Sequence, residues 1–303
     1  MNNRNILLYV LCLVCVVLIS LAIQGTTQTE EYTNEGSAPR KSSSEIPKLI
    51  WSYWHEETPP PVVEACVDTW RRFCPDYTIH IIHHGNAASF VPKMKDVPTS
   101  LSHAHFADML RIYLLREHGG IWMDATIFLR ANLDWVHSLQ QRSGAELVGY
   151  YMVFYEGFEE SHPPVLENWF LACVANSTFV NAWCDEFERA ININDPPKYL
   201  KELEERYNVD LSTIPEGTRD YLQMHCSAQM VLQTDSTMID RLALLDARKG
   251  PFRYLVNNEW DSIAAVRELC SDDHDDQPLV KMRSRERNPM SQLDETLWRR
   301  AFA

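Results

Sequence analysis

Apolar residues along this chain come in short blocks, and the period within each block predicts a different element. Ile6 to Ile23 is an uncharged apolar run with Arg4 before it and Glu30 and Glu31 after it. Its length approaches that of a membrane span, and the flanking charges predict a cytosolic tail (1–5), a transmembrane signal anchor (6–23) and everything beyond on the far side. Ser20 and Ala22 offer a small-x-small cleavage site, so a removed signal peptide is the alternative. Residues 24–45 are polar, rich in Thr and Ser and without period, as in a flexible stem. From residue 46 to 303 the pattern is that of one globular domain.

Within that domain, Lys48 to Trp54 and Tyr77 to Ile82 read as strands, and Val62 to Phe73 between them has a helical period after a proline run. A strand-helix-strand start predicts a parallel, α/β arrangement. His103 begins a helix whose Phe106, Leu110, Tyr113 and Leu114 share an apolar face. Asp108 and Arg111, three apart, are neighbours on another side of it. Gly119 and Gly120 stop the helix. Ile121 to Met123 is then a short buried strand with Asp124 at its carboxyl end, where ligands sit in open α/β sheets.

Further on, Glu146 to Tyr155 and Asn168 to Cys173 read as strands. Phe179 to Ile191, Pro196 to Tyr207 and Tyr221 to Gln233 read as helices. Leu242 to Leu255 reads as a strand, a turn at Gly250-Pro251 and a second strand. The acidic loop 156–162 is a natural place for substrate recognition, and the acidic segment 271–276 reads as solvated. Leu279 to Lys281 precedes a basic tail, Arg283 to Arg287.

A net charge of −14 over 303 residues excludes a basic nucleic-acid binder. There is no Walker loop, GxGxxG, GxSxG, HExxH or paired CxxC motif. His80, His83 and His84 alternate across a strand and its loop, so they do not converge on a metal. Cys12 and Cys15 lie in the anchor; Cys66, Cys74, Cys173, Cys184, Cys226 and Cys270 lie beyond it, and sequence leaves their connectivity open. Asn176-Ser177-Thr178 is a glycosylation sequon, which fits a lumenal surface loop.

The run HAHFADMLRIYLLREHGGIWMDATIFL resembles the sugar-binding region of the capsular polysaccharide synthesis proteins and family-32-type glycosyltransferases. The resemblance continues upstream through IPKLIWSYWHEETPPPVVEACVDTWRRFCPDYTIHII and downstream through ENWFLACVANSTFVNAWCDEF. It implies a single GT-A-like domain with a mixed, mainly parallel sheet. It also implies transfer of a hexose, with retention, from a nucleotide-diphosphate sugar to a hydroxyl of a glycan or other acceptor. Asp108, Arg111 and Asp124 are then the catalytic candidates. Ser52, Tyr53, Trp54, Gly119, Gly120, Trp122, Thr126 and Lys281 are the donor-binding ones. Mn²⁺ or Mg²⁺ held by Asp124, with His225 as a further ligand, belongs to the same picture, but Thr126 stands where a second carboxylate would be. An anchor, stem and catalytic domain together imply a type II Golgi membrane protein. The rival readings are an inactive transferase-like scaffold and a sugar-binding receptor.

Overall fold

The computed structural model describes residues 31–32, 44–98, 101–154, 162–271 and 277–302. The anchor at 6–23 with Cys12 and Cys15, most of the stem, and the loop segments 155–161 and 272–276 lie outside the described residues. Among the described residues, no helix is long and apolar enough to cross a membrane.

Pro60 and Pro61 start the first helix, Pro61–Phe73, because fixed φ and a missing N–H suit a helix N-terminus. That helix connects β1 (Leu49–Tyr53) to β2 (Thr78–Ile82), which pair in parallel. The helix His103–His118 starts on the Ser102 side chain, which accepts from His105 N, and ends at Gly119. β3 (Gly120–Met123) then adds to β1 in parallel. β4 (Ile127–Leu129) leaves this sheet. β5 (Leu147–Met152) returns through β6 (Val165–Cys173), and β7 (Leu242–Asp246) follows after three helices. The sheet order is Glu31–Tyr32, β7, β5, β6, β3, β1, β2. β8 (Leu279–Lys281) pairs with β4 as a separate two-stranded sheet.

Both faces of the large sheet are covered, so its strands read as almost continuous apolar runs. Ile50, Ile121, Met123, Phe170 and Ala172 pack on one side with the helices Pro61–Phe73 and Asp134–Ser143. Trp51, Trp122, Leu171 and Cys173 pack on the other, with the helices His103–His118, Thr178–Ile193, Pro196–Tyr207 and Gln223–Thr234.

Three expectations change. The sheet is mixed without being mainly parallel: β6 runs antiparallel to both β3 and β5, and the edge strand Glu31–Tyr32 is antiparallel to β7. Only one strand forms in 242–255; after Gly250-Pro251 the chain coils into the short helix Arg253–Asn257 and buries Tyr254 and Leu255. The basic tail is a helix, Ser284–Met290, and Lys281 before it is buried. The six described cysteines are all buried and unpaired.

Gly119 and Gly120 have φ of +63° and +92°, and a Cβ on Gly119 would lie 2.5 Å from the backbone N of Ala175. Gly119→Ala is expected to lower stability by about 3 kcal/mol, from backbone strain and the clash with a backbone that has nowhere to move. Urea unfolding monitored by tryptophan fluorescence checks this; a loss below ~1 kcal/mol would show that the turn relaxes freely.

Candidate functional site

Asp124 follows β3 directly, where the sheet ends and a cavity of about 560 Å³ opens. The helix stop at Gly119 fixes how far Arg111 and Asp108, about two and three turns back, stand from it. Arg111 Nη2 donates to Asp124 Oδ1 at 2.9 Å, and its Nη1 donates to Asp108 Oδ1. Asn168 Nδ2 also donates to Asp108, at 3.0 Å. The β4–β8 pairing sets Ile127 opposite Lys281. From there Lys281 Nζ donates to Asp124 Oδ2 at 2.7 Å and to Thr126 Oγ1 at 3.0 Å. Two carboxylates and two cations thus form one compensated cluster, with Arg111 at 4% and Lys281 at 8% exposure.

The cluster tunes its members in opposite directions. Burial opposes the charge on Asp124, but Lys281 and Arg111 outweigh it and hold the carboxyl below its ordinary value. Burial pushes Asp108 above its ordinary value, against the pull of Arg111. Among the expected donor-site residues, Tyr53, Trp54, Thr126 and Lys281 line the cavity, as do Asp108, Arg111, Asp124 and His225. Burial pushes the Tyr53 phenol up to about 12, and its hydroxyl has no partner among the described residues.

The other four stand behind the wall. Ser52 is fully buried. Trp122 Nε1 donates to Asp124 Oδ1 at 3.0 Å, and its ring lies 4.7 Å from the Arg111 guanidinium, so it positions both without reaching the cavity. Gly119 accepts from Trp51 Nε1 and, with Gly120, shapes the turn. Asn176 is exposed, in a turn at φ +57° just before the helix that begins at Thr178.

The set does not fit a divalent cation. Both oxygens of Asp124 already accept from cations, and the Thr126 hydroxyl donates to Met282 O at 2.7 Å while accepting from Lys281. A metal at Asp124 would have to displace the Lys281 ammonium. His225 lies with Glu167, at 4.0 Å, and among the described residues no three His, Cys, Asp or Glu side chains converge on a metal position.

Two lining residues were not singled out from sequence. Arg287 lies with its guanidinium 5.1 Å from the Trp54 ring and has no carboxylate partner among the described residues. Its burial lowers its pKa, which marks a cation short of solvent and of anions. Glu167 is 8% exposed, and His225 is its one ion-pair neighbour among the described residues. Its signal was present: a charged residue inside the apolar run VLENWFLAC is rare unless it is paired or functional. Nothing local in the sequence linked Arg287 to Trp54.

The profile of the capsular polysaccharide synthesis proteins matches residues 21–195. The chain is 29% identical over 163 residues to an O-glycosyltransferase, braB, of Annulohypoxylon truncatum, an alignment that covers 47% of this chain and 37% of that one. The chain therefore spans well under half the length of that curated relative. Solved structures with some likeness include mouse xyloside xylosyltransferase 1, with a TM-score of 0.43, 11% identity, and 78% of this chain and 97% of that one covered. Another is the UDP-bound glycosyltransferase domain of the YGT toxin, with a TM-score of 0.40, 9% identity, and 85% and 96% covered.

Because Asp124 is held below its ordinary value, its pairing contributes stability that is present above the unfolded value, near pH 3.9, and is lost as pH falls through the folded value. Lys281→Met removes one of its two cations. The variant is expected to lose about 3 kcal/mol at pH 7 and to begin acid unfolding at a higher pH than the wild type. Chemical denaturation across pH 3 to 7 measures both; an unchanged acid limb would show that Lys281 does not hold the Asp124 charge.

Proposed function

The chain belongs to the capsular polysaccharide synthesis protein family, and we propose that it is a glycosyltransferase that moves a hexose from a nucleotide-diphosphate sugar to a hydroxyl. The observation that carries this reading is the compensated Asp108–Arg111–Asp124–Lys281 cluster on the wall of a 560 Å³ cavity, with Arg287 beside it. Nucleotide-sized ligands need a cleft of this order with a few fixed polar groups. The kinship with an O-glycosyltransferase supports the same reading.

In the transfer, the bond from the anomeric carbon to the diphosphate oxygen breaks and its electrons leave with the diphosphate. The acceptor oxygen forms the new bond, and its proton passes to the departing diphosphate oxygen. The barrier is set by the anionic leaving group, so fixed cations lower it most. Arg287 is the cation best suited to the diphosphate, because it has no carboxylate to satisfy. Lys281 supplies positive charge already seated between Asp124 and Thr126, where a divalent ion would act in a two-carboxylate site. Asp108 and Asp124 retain lone pairs that accept hydrogen bonds from sugar hydroxyls. Tyr53 and Trp54, the latter beside Arg287, suit the ribose or base next to the diphosphate. Retention of configuration, a single-pass anchor at 6–23 and a Golgi-lumenal location complete the proposal.

Purified full-length chain, screened with UDP- and GDP-sugars by thermal shift, is expected to respond to one nucleotide family and to keep that response in EDTA. A ligand at a hundredfold excess over its dissociation constant stabilises the fold by about 2.7 kcal/mol. Arg287→Ala is expected to weaken nucleotide-sugar binding by about 10- to 100-fold, as for loss of a charge-assisted phosphate contact. No response to any nucleotide sugar would remove the transferase reading, and a response abolished by EDTA would restore a metal to the site.

A further inference from the structure

A second cavity of about 570 Å³ adjoins the first and shares the wall formed by Glu167, Trp169, Leu222, His225, Lys281 and Arg283. Beyond that wall its lining changes character. Met152, Phe252 and Trp260 contribute apolar and aromatic surface. The cations that reach it are already neutralised: Arg248 by Asp246, Arg283 by Glu286 and Lys281 by Asp124.

Two of the buried polar atoms left without partners belong to residues of the shared wall. His225 Nδ1 and Trp169 Nε1 are buried and find no hydrogen-bond partner among the described residues. Their residues are 5% and 4% exposed. Glu167 stands beside them, its carboxylate 4.0 Å from His225 Nε2. Buried donors and acceptors of this kind are satisfied by a ligand or leave a desolvation penalty. An alcohol hydroxyl answers two of these groups at once, donating its one proton to the carboxylate or ring nitrogen and accepting from the indole N–H.

Trp260 is shaped for this role as well. It is 39% exposed, at the cavity edge, and sits at φ +64° next to Glu259 at φ +50°. Two successive non-glycine residues in that region are strained, and such strain gathers at binding sites. The Trp260 backbone N–H donates to Leu255 O at 2.8 Å, and its ring lies between the Arg283 guanidinium at 5.1 Å and the Phe252 ring at 5.9 Å.

We propose that this second cavity is the acceptor site and that it takes a compact lipophilic alcohol, with the hydroxyl at the Glu167–His225–Trp169 wall and an apolar body against Phe252 and Trp260. A glycan carries hydroxyls around its whole rim, and most would face the Met152, Phe252 and Trp260 surface unpaired. The placement rests on the transferase reading, since the shared wall is what brings the hydroxyl to the donor cavity.

The test uses purified full-length chain, with 2-naphthol and cyclohexanol as lipophilic probes and methyl glucoside and lactose as sugar probes. Binding is measured by calorimetry with and without UDP or GDP. The lipophilic alcohols are expected to saturate one site, and the sugars to bind at least tenfold more weakly. Trp260→Ala, which removes an edge ring, is expected to weaken the alcohols about tenfold, roughly 1.4 kcal/mol, and to leave nucleotide affinity unchanged. Glu167→Gln keeps the shape and is expected to weaken the alcohols while the sugars stay unaffected. Preference for the sugar probes would overturn the apolar class. Alcohol binding indifferent to both Trp260→Ala and Glu167→Gln would place it elsewhere and overturn the site. Nucleotide binding is read separately, so its absence would overturn the transferase reading on its own account.

Discussion

Everything around the cavity depends on burying three charges against a fourth, Asp124, that stays half-buried at the cavity wall. Asp108, Arg111, Asp124 and Lys281 are linked in that order by ion pairs, in a setting where a single uncompensated charge would be ruinous. A buried ion cluster of this kind is poor value for stability, because well-packed apolar residues of equal volume hold a core together as well or better. What it supplies is a fixed pattern of charge that does not have to reorganise when an anionic ligand arrives. The rest of the fold can be read as the means of holding it: a helix stopped by two glycines, a strand ending at Asp124, and Trp122 backing both cation and carboxylate.

Much of this was legible because it is local. The helical period from His103, the glycine stop and the strand-end Asp lie within 27 consecutive residues, counted from His103 through Leu129. Periodicity and turn chemistry act over that range. Lys281 was legible only through resemblance, since it reaches Asp124 across 157 positions by the pairing of two three-residue strands. Arg287 over Trp54 and the Glu167–His225 pair are equally non-local, and no period announces them. The antiparallel course of β6 was hidden for a related reason. A strand buried on both faces shows only an apolar run, which says nothing about direction.

The two cavities also divide labour by composition. One is walled by charges in mutual balance with a spare arginine; the other is walled by aromatic rings with its orphaned polar atoms at one end. They meet at β6, where Glu167, Asn168 and Trp169 are successive residues. Successive strand residues point to opposite faces, so a single strand can serve the charged cluster through Asn168 while its neighbours serve the shared wall.

The pairing of β4 with β8 has a consequence in time. Asp124 and Thr126 leave the ribosome long before Lys281 does, and domains begin to fold while synthesis continues. Until the segment Leu279–Lys281 emerges and docks on Ile127–Leu129, Arg111 is left to balance both carboxylates alone. The cluster therefore cannot be complete before its last strand has docked: a chain ended before residue 281 lacks one of its two cations.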